Sequence, residues 1–143
     1  MYLRFAFEGD VHETLATIPL AVRRKLDLAG LKLSLAGWTA LSRPERLAVC
    51  HLPIDSGADL EVYREALRGF AERAGHPVLP LEGGPVDPAS WSAARVPAEI
   101  AARVSEKDWA RLSEEARYAL VKLAGPRRGP EKLALALGEL GLS

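Results

Sequence analysis

Two stretches of the chain carry one pattern, W-x-x-L-S-x-x-x-R, and this repetition constrains the fold more than any other feature. The first copy runs through Trp38, Leu41, Ser42 and Arg46, the second through Trp109, Leu112, Ser113 and Arg117. Leu52 and Leu123 follow at the same offset from their tryptophans. Upstream, Ile18-Pro19 corresponds to Val96-Pro97, with the second copy seven residues shorter. Each copy, 18–53 and 96–125, reads as a helix–turn–helix corner. The tryptophan and the leucine three residues on share a helical face. The serine caps the next helix, and the arginine lays its stem over apolar surface. One such unit cannot bury its apolar face alone, whereas two copies with further helices can close a core.

The rest of the chain is punctuated in the same way. Pro19 suits a first helical turn. Val22, Leu26 and Ala29 share a face, and Gly30 is a left-handed stop. This predicts a helix over 19–29 whose opposite face carries Arg23, Arg24, Lys25 and Asp27. Ser34 caps a short helix through Leu41. Ser42-Arg43-Pro44-Glu45 is a capping box with proline in the first turn, and Pro53 ends that helix. Leu60, Tyr63, Leu67, Phe70 and Ala74 mark the clearest helix, closed by Gly75 and Pro77. Three pieces follow over 97–104, 105–112 and 113–124. Pro130 opens a last helix with a Leu133, Leu137 and Leu140 stripe. Residues 76–91 hold four prolines and two glycines, which predicts a long loop pinned by Trp91 and Leu79 or Leu81. Leu3, Phe5 and Phe7 alternate as a short strand would. No convincing partner strand exists, so an extended arm packing its phenylalanines on helices is the preferred reading. Asp10 with Glu13 is a candidate capping box. The expected architecture is all-α, a compact bundle of about seven to nine short helices in one domain over 1–143.

Composition narrows the function classes. Lys+Arg and Asp+Glu are both 19, so formal net charge is zero. That argues against a dominant nucleic-acid or anionic-membrane surface. The single cysteine, Cys50, forms no internal disulfide and builds no thiolate metal site, which fits a reducing cytoplasm. No apolar run is long enough for a signal peptide or a membrane span, so the expected location is cytoplasmic.

Catalytic machinery is not visible. His12, His51 and His76 lie far apart, without zinc-site spacing. Cys50 and His51 are neighbours, and neighbours on a helix point about 100 degrees apart, so they make no nucleophile–base pair. Cys50 reads as a small core residue. Glu82-Gly83-Gly84-Pro85 lacks the strand and helix that a phosphate cradle needs. Nothing calls for a cofactor or metal. Trp38 and Trp109 read as core anchors. The helix–turn–helix shape invites a nucleic-acid reading, but the would-be recognition helices carry Leu47, Val49 and Cys50, or Tyr118, Leu120 and Val121, with few side chains for base edges. The basic run from Arg23 to Lys25 is either a solvated face, with Arg23–Asp27 as a helical ion pair, or a docking surface for an acidic partner, joined by Arg127 and Arg128.

Several motifs together resemble the nitrate reductase-associated protein family. They are F-x-F-E (Phe5 to Glu8), I-P-x-x-V-R-x-K-L-D-x-x-G-x-K-L-x-L-x-x-W (Ile18 to Trp38), Leu52-Pro53 and Tyr63-Arg64. Pro97 and W-x-x-L-x-x-x-x-R-x-A-L-x-K-L (Trp109 to Leu123) complete the set. The resemblance covers nearly the whole chain and implies a non-catalytic accessory role in nitrate assimilation. Its implied partner is a molybdenum and iron–sulfur nitrate reductase, which it would bind during maturation, cofactor insertion or stabilisation. The resemblance assigns no binding residues. Charge and motif position nominate Arg23, Arg24, Lys25, Asp27 and Lys32, with Arg127 and Arg128, as the expected partner surface. The alternatives are a helical nucleic-acid-binding regulator and a small-ligand-binding protein using the 76–91 loop as a lid. The second copy departs from the family pattern by its shorter connector between Val104 and Trp109.

Overall fold

The computed structural model describes residues 3–125 and 130–142. Among these the chain is all-α. Nine α-helices run in order: α1 Val11–Thr14, α2 Leu20–Ala29, α3 Leu35–Ala40, α4 Arg43–His51, α5 Gly57–Arg73, α6 Ala98–Ala101, α7 Glu106–Arg111, α8 Glu114–Leu123 and α9 Pro130–Glu139. Short 3-10 turns occupy Ala6–Glu8 and Pro88–Trp91. The chain divides into two compact units, residues 1–4 with 10–86 and residues 5–9 with 87–143.

Serine places most of the helix starts. Ser34 Oγ accepts from Gly37 N at 3.0 Å, Ser56 Oγ from Asp59 N at 3.1 Å, and Ser105 Oγ from Asp108 N at 3.1 Å. Ser113 Oγ accepts from Ala116 N at 3.1 Å. At Ser42 the full capping box forms, because Glu45 Oε1 also accepts from Ser42 N at 2.8 Å. Each cap satisfies a backbone N–H that the first helical turn leaves open. Pro19 stands at the N-cap of α2, and Gly30 closes it in the left-handed region at φ 71°.

In the first unit, α2 packs against α4 and α5, and α5 also meets α3 and α4. Leu15, Val22, Leu26, Trp38, Val49 and Leu67 lie in one buried cluster there. In the second unit α8 packs against α9 and the Pro88–Trp91 turn. Its buried positions include Ile100, Trp109, Leu120, Leu123 and Leu137. Trp91 is buried and meets Tyr118 edge-on, with ring centroids 4.9 Å apart.

Three expectations change. Asp10 stands at the N-cap of α1, but its side chain makes no capping bond, so no capping box forms. The Leu3–Phe7 alternation yields no strand, and the short extended arm ends at Phe5, where a 3-10 turn begins. Phe5 is buried and caps the 3-10 turn Ala6–Glu8, which the C-terminal helix holds: Glu139 carboxylate oxygens accept from Ala6 N at 2.6 Å and Phe7 N at 3.2 Å. The 76–91 segment is not wholly loop. Leu79–Pro80 forms a two-residue strand, β2, antiparallel to β1 at Leu31–Lys32. The register pairs Leu31 with Pro80 and Lys32 with Leu79. Of the residues expected to pin this segment, Trp91 is buried, Leu81 is half-buried and Leu79 is exposed.

Candidate functional site

The helix α2 and the turn after it hold most of the charged positions nominated as a partner surface. The structure separates them. Lys32 is exposed on β1, while Arg23 and Asp27 are partly buried. Arg24 and Lys25 are buried, at 9% and 7% exposure, so the expectation of an outward basic face on this helix is corrected. The reason is packing, since α2 meets α4, α5 and β1 and none of its residues is fully exposed. Arg127 and Arg128 lie outside the described residues.

Lys25 has a definite internal task. Its ammonium donates to Cys50 O at 2.7 Å and to Leu52 O at 2.6 Å. These carbonyls sit at the C-terminal end of α4, where the last turn leaves acceptors open and the helix dipole is negative. A buried cation at that point satisfies both, and charge-assisted bonds of this kind are the strong ones. The Tyr63-Arg64 pair acts in the same way. Tyr63 OH donates to Val49 O at 3.1 Å, also near the end of α4. Burial pushes the Tyr63 hydroxyl far above the usual phenol range, so it remains a neutral donor. Arg64 Nε donates to Ala29 O at 2.9 Å, the last residue of α2, while its Nη1 pairs with Glu61. Three charged or polar motif residues therefore clamp two helix ends.

The repeated corners use a second set of clamps. In the first, Trp38 Nε1 donates to Leu15 O at 2.7 Å, and Arg46 reaches the same oxygen through Nη1 at 2.9 Å. Arg46 Nε also donates to Leu41 O at 3.2 Å. Leu15 has φ 53°, a left-handed value that a non-glycine residue rarely takes. Two donors converging on its carbonyl hold it there. In the second corner Trp109 Nε1 donates to Ser92 O at 2.7 Å, and Arg117 Nε to Trp91 O at 2.8 Å. Arg117 Nη1 donates to Leu112 O, as Arg46 does to Leu41 through Nε. Each arginine thus ties its corner's leucine carbonyl to the segment that precedes the corner. The local sequence around Arg46 and Arg117 shows only an arginine stem over apolar surface. Their guanidinium role depends on carbonyls as far as 31 residues away, which no local signal marks.

The turn after α2 is laced to the 76–86 segment. Leu81 N donates to Gly30 O and Val86 N to Asp27 O, both at 2.9 Å. A Cβ on Gly30 would stand 2.8 Å from Pro85 Cγ, so that position admits only glycine without a shift of the loop.

The remaining chemical candidates do not converge. Cys50 is fully buried, His51 is exposed at the end of α4, and His76 is exposed beyond α5. Desolvation, followed by nearby positive charge including Lys25, holds the His51 imidazole below its ordinary pKa. Among the described residues no group of three or more His, Cys, Asp or Glu side chains is placed to hold a metal ion. What the arrangement around α2 does chemically is fix helix ends and leave Lys32 at the surface.

No curated protein and no solved structure matches the chain. The sequence model of one family does, across residues 4–140, and that span includes both corners and every clamp described above. The chain belongs to the family described as conserved nitrate reductase-associated protein.

Proposed function

We propose that this chain is a non-catalytic accessory protein of nitrate assimilation, acting in the cytoplasm, that binds a molybdenum and iron–sulfur nitrate reductase and assists its maturation or stability. The observation that carries the reading is the family match over 4–140, whose description names association with nitrate reductase. The arrangement of side chains supports it. The polar motif residues Lys25, Tyr63, Arg64, Arg46 and Arg117 spend their donors on backbone carbonyls, as a scaffold that presents a surface would. Among the described residues no helix is long and apolar enough to cross a membrane.

The test is co-purification. A tagged full-length chain expressed in its own cell should retain the nitrate reductase polypeptide through washing. Recovery of the tagged chain without the reductase, from cells shown to contain it, would refute the proposal.

A further inference from the structure

Residues 5–9 lie near the start of the chain yet belong to the second unit, with residues 87–143. Bonds inside this piece keep its shape. Glu8 N donates to Phe5 O at 3.1 Å and Gly9 N to Ala6 O at 3.0 Å, while the Glu8 carboxylate accepts from Phe5 N at 3.3 Å. The Phe5 and Phe7 ring centroids stand 5.2 Å apart. A separate pair of bonds seats the piece on α9, where the two carboxylate oxygens of Glu139 accept from Ala6 N and Phe7 N. Glu139 is exposed. Within residues 5–9, Phe5 is buried, Phe7 and Glu8 are half-buried, and Ala6 and Gly9 are exposed. Gly9 ends the piece at φ 67° and ψ −133°, a backbone conformation that L side chains rarely adopt, although a Cβ there would meet nothing within 4 Å.

We propose that residues 5–9 are a latch. The turn seats and unseats as one piece, with the Glu139 carboxylate as its catch and Gly9 as its hinge, while α8 stays folded. The bonds inside the turn survive unseating, so the cost of opening falls on the seat. One buried ring returns to water, and the two bonds released are held by a carboxylate that water already reaches. Against that cost stands the backbone freedom that five residues regain. Terms of this size oppose one another closely enough for a local opening well below global unfolding. The amides of α8 differ, since Ala119, Leu120 and Leu123 are buried and open with the unit itself. Seating also holds Gly9 at a positive φ in open space, so the demand for glycine there is one of backbone conformation alone. Unseating bares the place of Phe5 in the second unit and both oxygens of Glu139 on α9, a surface that the closed latch withholds.

The experiment is residue-resolved amide hydrogen exchange by NMR on the full-length chain and two variants, with and without urea below the unfolding transition. In the unaltered chain the Ala6 and Phe7 amides should be protected, yet exchange about 100-fold faster than those of Leu120 and Leu123. Their exchange should also be insensitive to urea, because unseating exposes little surface. Glu139→Gln removes the charge and one of the two acceptors, and should speed exchange at Ala6 and Phe7 about tenfold. Gly9→Ala strains the seated turn and relaxes when it opens, so it should act in the same direction by a similar factor. Leu120 and Leu123 should be unchanged in both variants. Exchange of Ala6 and Phe7 in step with α8, at the same rate and urea dependence, would overturn the latch by making the turn part of the core. Exchange at the rate of an unstructured peptide would overturn it by showing no seat. Variants that leave Ala6 and Phe7 unmoved, or that speed α8 equally, would overturn it as well.

Discussion

Lys25 joins two helices, since its ammonium on α2 donates to Cys50 O and Leu52 O at the end of α4. Helical spacing set it opposite Val22, Leu26 and Ala29 and hence in solvent. The structure buries it because a second helix end, 25 residues onward, needs a donor there. No pattern within α2 marks that acceptor, so the role was not legible in the sequence. By contrast, Cys50 as a core residue and Trp38 and Trp109 as anchors were legible, because burial of small and aromatic side chains follows from local apolar spacing. Replacing Lys25 with methionine keeps the stem and removes the ammonium, leaving Cys50 O and Leu52 O without it. Urea unfolding should show a loss of about 2 kcal/mol, the range for buried acceptors deprived of a donor. An unchanged midpoint would mean the clamp contributes nothing. His51 gives a pH prediction at the same end of α4. Its folded pKa is depressed, so below the ordinary imidazole range the unfolded chain takes up the proton more readily. Stability is therefore fully present above about pH 6.5 and declines as pH falls through the depressed value. His51→Gln should flatten that decline in urea midpoints measured across pH 5 to 8.

At the scale of elements, the helix starts were the most legible part of the fold. Ser34, Ser42 and Ser113 act within three residues of themselves, and capping is a local interaction that sequence displays directly. Ser42 and Ser113 hold equivalent places in the two corners. Ser42→Ala and Ser113→Ala should each cost about 1 kcal/mol in urea unfolding, and a cost at only one of them would break the equivalence. The β1–β2 pair was illegible for the opposite reason. It is two residues long, contains Pro80, and depends on partners 47 and 49 residues away, where neither alternation nor β-propensity can accumulate. Its closing turn can be probed at Gly30. Gly30→Ala forces a Cβ into both the left-handed region and Pro85, whereas Gly57 has open space around it and no positive φ. Thermal melts should show Gly30→Ala destabilised by about 2 kcal/mol and Gly57→Ala close to the unaltered chain. Equal effects would remove the close approach as the reason for glycine.

Over the whole molecule, the repeat seen in the sequence reappears as two corners with matched hydrogen bonds. Trp38 and Arg46 converge on Leu15 O, while Trp109 and Arg117 divide between the neighbouring Ser92 O and Trp91 O. The unit assignment of residues 5–9 was not legible, since it depends on Glu139 at the far end of the chain. The second unit is therefore built from both ends of the sequence. Deleting residues 1–9 should lower hydrogen-exchange protection in α9 while leaving α5 protected, and undiminished protection in α9 would show that the Glu139 tie is dispensable. The functional account rests on the family to which residues 4–140 belong and on a scaffold in which Lys25, Arg46, Tyr63, Arg64 and Arg117 spend donors on backbone carbonyls. Its most direct test is reductase activity per mole of nitrate reductase polypeptide in cells with and without this chain. The account predicts that loss of the chain lowers that ratio and that the full-length chain restores it. An unchanged ratio in cells lacking the chain would contradict it.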